Sequence, residues 1–470
     1  MNDNIYFDGV KQSFETHDIN FPSKDGTIVI KGKVYILPPN AQNGYKCGYS
    51  LFIPNGCQVD TTLIVHCCNT GGAGVTDGKL DNTKPAIHLS EGNKAALLST
   101  LKINPGMWLG SDLKMPVLIP LIPRVRGYYT QALGSKVFEN DVSTLIEDNM
   151  NRSIENKLSN QEILEIQEQC RDLPSQLSNI IFSAKKTLND FGINVDDKVI
   201  MEGYSAGSKF ANCFTALHPE LVKACISGGT SGLGILPITQ LKGQTLNFPL
   251  GVANIPNFNA QAFKSIPQYF YIGNDDKNDP AMINNGSPIK FQPKSKENYT
   301  PHEIMQIHTL LGTDLQTRFK NSQQIYSQLR VNARFEIFAG DHNSVTNQRD
   351  STGYYIVNES VKNFIKEVIS KEKDVNKSFQ NDEQKTGVSF YKMSQSEIQA
   401  YNLIEEKNQL IHNEKMKQRE LYNPMVRTLN KNKKLSSNNN GFISVILLSL
   451  IVSFLCGILF STVYIFLTKG

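Results

Sequence analysis

KVIMEGYSAGSKFANCFTAL, residues 198–217, is the stretch around which the rest of this chain is read. It opens with the apolar run Val199-Ile200-Met201, which suits a short buried strand. A sharp bend follows, Gly203-Tyr204-Ser205-Ala206-Gly207, and then Phe210, Ala211, Cys213, Phe214 and Leu217 fall at helical spacing. Strand, G-x-S-x-G, helix is the context in which that pentapeptide carries nucleophilic chemistry. A serine on so tight a turn sits in strained backbone, and bulky residues two positions to either side would collide with strand and helix. The bend pushes the Ser205 hydroxyl out beyond the sheet. The helix that follows aims its free N–H groups and positive dipole end at any oxyanion formed there. The same pentapeptide in a plain βα turn would hold an ordinary serine, so its partners matter.

A chain of 470 residues is long for one compact core and fits a large domain with an appendage. A net charge of +4 is nearly neutral at this length and gives no argument for a nucleic-acid partner, and none is expected. The eight cysteines are scattered without a C-x-x-C pair, as expected of reduced, mostly buried thiols and not of a zinc site or disulfide framework. The opening residues, MNDNIYFDGVKQSFE, contain no apolar core of a secretory signal.

Apolar, β-branched runs mark further strands: TIVIKGKVYIL at 27–37, YSLFIP at 49–54, TLIVH at 62–66 and PVLIPLI at 116–122. Beyond the serine come VKACIS at 222–227, YFYI at 269–272 and RFEIFA at 334–339. Residues 1–20 are polar and are read as frayed or as a first edge strand. One helix is expected over 162–191 and an amphipathic closing helix over 356–369. Short strands alternating with helices imply a mostly parallel sheet covered on both faces, a catalytic domain over 1–370. Residues 371–440 turn polar and read as a solvated stalk. Residues 442–467 then run without a charge. At about 1.5 Å per residue they exceed a hydrocarbon core of roughly 30 Å, so a transmembrane anchor is expected. Arg427, Lys431, Lys433 and Lys434 precede it and Lys469 follows, which puts the large N-terminal part on the cytoplasmic side.

A serine hydroxyl needs a base, and the base needs an orienting acid. On a sheet with this elbow they follow in the order Ser, Asp/Glu, His, each just after a strand. Gly273-Asn274-Asp275-Asp276-Lys277-Asn278-Asp279 follows the strand at 269–272. The fourth position of such a loop, Asp276, is the expected acid, with Asp275 and Asp279 as alternatives. A calcium loop does not fit, because glycine and a closing glutamate are missing at the required offsets. Among the histidines after the serine, His342 follows a strand through Ala339-Gly340-Asp341 and is the expected base. His218 reads as a helix C-cap, His302 and His308 lie in a polar helical insertion, and His412 lies in the stalk. One oxyanion donor should be the Ala206 N–H. The other should come from the loop His66-Cys67-Cys68-Asn69-Thr70-Gly71-Gly72, with Cys68 and Asn69 as candidates.

GYSAGSKFANCFTALHPELVKACISGG, with VHCCNTGG, PLIPRVRGYYTQAL and YFYIGNDDKNDP, resembles the α/β-hydrolase superfamily over roughly residues 20–370. Esterase and polyhydroxyalkanoate-depolymerase-like members are the most similar. The resemblance implies an eight-stranded α/β-hydrolase sheet and the roles given to Ser205, Asp276 and His342. The insertion at 280–330 would then be a lid. Tyr204 and Arg124 are candidate substrate contacts, and no cofactor or metal is called for. The expectation is a membrane-tethered serine esterase for a small-molecule or lipid ester. A catalytically silent anchored binding module, or a peptidase or acyltransferase, would share the same elbow.

Overall fold

The computed structural model describes residues 5–7, 10–12, 15–22, 29–67, 74–76, 79–81, 105–122, 158–281, 299–347 and 356–386. The chain divides into two compact units, Met1–Val375 and Asn376–Gly470. The first unit is built on a nine-stranded sheet. In chain order its strands are β1 Glu15–Pro22, β2 Val29–Leu37, β3 Tyr49–Pro54, β4 Ile64–Cys67 and β5 Val117–Pro120. After these come β6 Val199–Tyr204, β7 Val222–Gly228, β8 Gln268–Gly273 and β9 Ala333–Phe338. Their spatial order is β9-β8-β7-β6-β4-β5-β3-β2-β1. The six strands from β9 to β5 are parallel, and β3, β2 and β1 then alternate antiparallel. The polar N-terminal stretch supplies β1, which closes that edge along β2.

The parallel strands are short, apolar runs because both faces are covered. On one face lie α2 Asn160–Gln169, α3 Leu173–Asp190 and α4 Ala206–Leu217, around a core that includes Val65, Leu177, Ile181, Met201 and Phe214. On the other lie α1 Pro105–Leu113 and α7 Ile356–Thr386, over Ile64, Ile200, Ile226 and Tyr269. Val357, Val361, Phe364 and Ile365 bury one stripe of α7. The helix runs past the expected end at 369, because no proline or glycine interrupts the sequence before Gly387. The single helix expected over 162–191 is two. Asp172 takes a left-handed conformation and Pro174 sits in the first turn of α3, where its missing N–H costs nothing but a continuous helix would need it.

The insertion contributes α5 Pro301–Leu310 and α6 Leu315–Gln328, which bury Ile304, Ile307, Leu315 and Phe319 in a third core with Phe270 and Ile272 of β8. Residues 282–298 of it lie outside the described residues. Arg318 of α6 is fully buried. It ion-pairs with Asp279 at 2.5 Å and donates to the carbonyls of Ser231 and Gly312 at 3.3 and 3.2 Å. Gln316 donates to the Gly273 carbonyl at 2.7 Å. The insertion is thereby fixed to the loop that leaves β8.

Among the described residues no helix is long and apolar enough to cross a membrane, and the segment 442–467 lies outside them. Of the described cysteines, Cys47, Cys67, Cys170, Cys213 and Cys225 are buried and Cys57 is half-buried. Burial pushes the Cys47 thiol up to about 12, so it stays a thiol at neutral pH.

Replacing one partner of a buried ion pair strands the other. Arg318→Ala is expected to lower the unfolding free energy by about 3–5 kcal/mol, read as a lower urea midpoint at unchanged m-value. Glu168→Ala breaks a surface pair with Lys46, both side chains being about half exposed; it is expected to cost about 1 kcal/mol or less.

Candidate active site

Because β4, β6, β8 and β9 run parallel, their C-terminal ends open on one rim of the sheet. Ser205 stands at that rim between β6 and α4, with φ 55° and ψ −121°. No L-residue adopts that backbone without strain. The glycines make it sterically feasible. A Cβ on Gly203 would fall 2.4 Å from the carbonyl carbon and oxygen of Gly207. The Ser205 N–H donates to the Gly228 carbonyl at 2.8 Å, and its own carbonyl accepts from the Ser208 hydroxyl at 2.6 Å.

The loops after β8 and β9 bring the other two residues to the serine. Asp276 is buried, and its Oδ2 lies 2.8 Å from His342 Nδ1. His342 Nε2 lies 2.9 Å from Ser205 Oγ. A carboxylate only accepts, so this geometry suits an imidazole that donates from Nδ1 and accepts the serine hydroxyl proton at Nε2. Asp276 Oδ1 accepts the Asn278 N–H at 2.9 Å, which fixes the carboxylate plane. Of the two alternatives, Asp275 is exposed and Asp279 is held by Arg318.

The two loops are stitched together. The Asn274 N–H donates to the Phe338 carbonyl at 2.7 Å, Gly340 donates to Asn274 Oδ1 at 2.8 Å, and Asp275 donates to the Gly340 carbonyl at 3.0 Å. The crossing is close enough that a Cβ on Gly273 would sit 2.2 Å from the Gly340 oxygen. Asp341 Oδ1 accepts from the N–H groups of Asn343 and Ser344, shaping the turn that carries His342. The Ser344 bonds, side chain first, hold the Asp341 carboxyl below its usual range.

The other histidines are engaged elsewhere. His218 caps α4 and lies 3.0 Å from Glu220, and His308 donates to the Ala281 carbonyl at 2.5 Å. His302 is exposed on α5, and His412 lies outside the described residues. Ala206 is the first residue of α4, so its N–H belongs to the first turn of that helix. Cys68, Asn69 and Arg124 lie outside the described residues. Cys67, which ends β4, stands in register with Gly203, so the loop that follows it starts beside the elbow.

Tyr204 points its hydroxyl at the chain and not at open space: it donates to the His342 carbonyl at 2.6 Å. Sequence reasoning did not find this bond, nor two others near the elbow. His66 Nδ1 is bonded to Glu202 across β4 and β6, both side chains buried. Lys209 of α4 donates to the Tyr299 hydroxyl at 2.6 Å. A glutamate inside the apolar run VIMEGY is the sequence signal that a buried partner must exist.

No family model and no curated protein matches the chain. Solved structures that resemble it are distant. Poly(aspartic acid) hydrolase-1 from Sphingomonas sp. KT-1 has 14% identity and a TM-score of 0.37, over 63% of this chain and 89% of that one. S-formylglutathione hydrolase from Agrobacterium tumefaciens has 10% identity and a TM-score of 0.34, over 73% and 96%. Poly(3-hydroxybutyrate) depolymerase from Bordetella parapertussis has 10% identity and a TM-score of 0.31, over 69% and 84%. On its own mostly parallel sheet, flanking helices and strand-to-helix serine turn, the chain has an α/β-hydrolase-like fold.

Proposed function

We propose that this chain is a serine hydrolase that cleaves carboxylic esters through Ser205, His342 and Asp276. The observation that carries the reading is the continuous hydrogen-bonded line from Ser205 Oγ through both ring nitrogens of His342 to a buried carboxylate. In this reading Ser205 Oγ attacks the ester carbonyl while His342 Nε2 takes its proton. The tetrahedral oxyanion is met by the Ala206 N–H and a second donor from the loop after β4, Cys68 or Asn69. His342 returns the proton to the departing alkoxide, leaving the acyl-enzyme. Water, deprotonated by the same imidazole, releases the acid and restores the serine. Asp276 holds the imidazole in the right tautomer and stabilises the imidazolium. Arg124, which follows β5 in the sequence, is assigned to the substrate side, and the substrate is a small-molecule or lipid ester.

The second part of the proposal is the tether. Residues 442–467 carry no charge, and four basic residues, Arg427, Lys431, Lys433 and Lys434, precede them against Lys469 alone after them. Together they support a single C-terminal span with the hydrolase unit facing the cytoplasm.

Ser205→Ala is expected to lower kcat/KM on short p-nitrophenyl esters by about 10³-fold or more and to abolish covalent labelling by a fluorophosphonate. A Ser205→Ala protein as active as the parent overturns the assignment. An unlabelled, inactive parent would favour a silent binding module.

Deleting 442–467 is expected to move the protein from the carbonate-resistant membrane fraction to the supernatant, with short-ester turnover retained. Equal partitioning of both forms removes the tether.

A further inference from the structure

The residue between the first glycine and the serine of the elbow has a placement that substrate contact does not explain. β6 ends at Tyr204, which stands in register with Gly228 of β7, and Gly228 stands in register with Tyr271 of β8. The middle position has no side chain. A Cβ on Gly228 would lie 2.2 to 2.6 Å from the end of the Tyr271 ring, so Tyr271 lies across β7 and reaches the Tyr204 ring. The two rings stack at 6.0 Å between centroids. Tyr204 also meets the imidazole of His342, tilted, at 5.1 Å between centroids. Gly229 makes room for that contact: a Cβ there would be 3.0 Å from both His342 Cε1 and Tyr204 Cζ. Tyr271 also stands edge-on to Phe338, the last residue of β9 before the His342 turn.

The tip of Tyr204 is fixed as well, by its hydrogen bond to the His342 main-chain carbonyl. Burial first, and then the carboxylates of Asp276 and Asp341, push the phenol far above its usual pKa. It remains a donor at any working pH. One side chain therefore holds both the backbone and the ring of the residue bonded to Ser205, while two glycines and Tyr271 hold that side chain.

We propose that Tyr204 is a positioning residue for His342: its hydroxyl pins the main chain of the base, and its ring, backed by Tyr271 across Gly228, sets the plane of the imidazole. This rests on the reading of Ser205 and His342 as nucleophile and base. It differs from a substrate-binding role for Tyr204, because the hydroxyl and one ring face are already occupied by the protein.

The experiment compares the full chain with Tyr204→Phe, Tyr204→Leu and Ser205→Ala. It measures kcat and KM on p-nitrophenyl acetate, the rate of fluorophosphonate labelling, and the melting temperature. Tyr204→Phe keeps the ring and loses the bond to the carbonyl. Its kcat is expected to fall about tenfold with KM unchanged within about twofold, and labelling to slow by the same factor as kcat. The melting temperature should hold within a few degrees. Tyr204→Leu should lose more of kcat than Tyr204→Phe. A Tyr204→Phe protein with parental kcat and labelling rate overturns the proposal. A raised KM at parental kcat also overturns it, in favour of substrate contact, and a lowered melting temperature with parental kcat leaves only a structural role. If Ser205→Ala keeps parental activity or labelling, the nucleophile reading fails and the proposal falls with it; that result is seen independently of the Tyr204 variants.

Discussion

The backbone of Ser205 is the constraint on which the rest of the site depends. A residue at φ 55° and ψ −121° stores on the order of 1–3 kcal/mol and persists only where its surroundings over-determine it. Here they do. The strand leading in is central, bonded to β4 on one side and β7 on the other. The helix leading out is buried along nearly its whole length, from Gly207 to Ala216. The Ser205 carbonyl accepts from the N–H groups of Ser208 and Lys209, and its N–H is fixed to β7. Strand and helix touch through Gly203 and Gly207, so neither can rotate to relieve the turn without a clash. The hydroxyl direction is therefore set by packing far larger than the cost of the strain.

A second constraint fixes Asp276 and His342 against each other. Asp276 and His342 are 66 positions apart, yet their loops cross at Gly273 and Gly340 and share hydrogen bonds on both sides of the crossing. The insertion helices reinforce this from outside. Gln316 holds the carbonyl where the Asp276 loop begins, and Arg318 holds Asp279 where it ends. Lys209 ties α4 to Tyr299 of the same insertion. The described part of the insertion is thus part of the rigid frame, and any displacement of α6 would be felt at Asp276.

The legible features were those written in local sequence. The elbow could be read because a turn this tight needs glycine at both flanks, and the parallel strands because burial on both faces leaves unbroken apolar runs. Asp276 and His342 could be singled out because each stands a few residues past such a run. The break between α2 and α3 was signalled by Pro174 but masked by helical spacing that resumes in phase after it. Residues whose partners lie on other strands or helices could not be read. Tyr204 and His342, His66 and Glu202, and Arg318 and Asp279 are each joined by topology alone, and spacing along the chain carries no trace of the pairing.

The His66–Glu202 pair illustrates how such contacts specify the sheet. His66–Glu202 and His342–Asp276 are both imidazole–carboxylate pairs, and their settings differ. His342 sits on a loop, partly exposed, with its second nitrogen on the serine. His66 sits within β4, buried, with the ring covered by Gly106 of α1, where a Cβ would fall 2.5 Å from its Cγ. Glu202 lies three residues before the serine, roughly 10 Å back along the strand, so His66 is bonded well below Ser205. Its effect is on register. A one-residue slip of β4 against β6 would turn His66 to the opposite face and leave a carboxylate buried without a partner, a cost of several kcal/mol. The aligned register puts Cys67 beside Gly203, and with it the start of the loop proposed to supply the second oxyanion donor. A polar pair that takes no part in bond making thereby limits where that loop can begin.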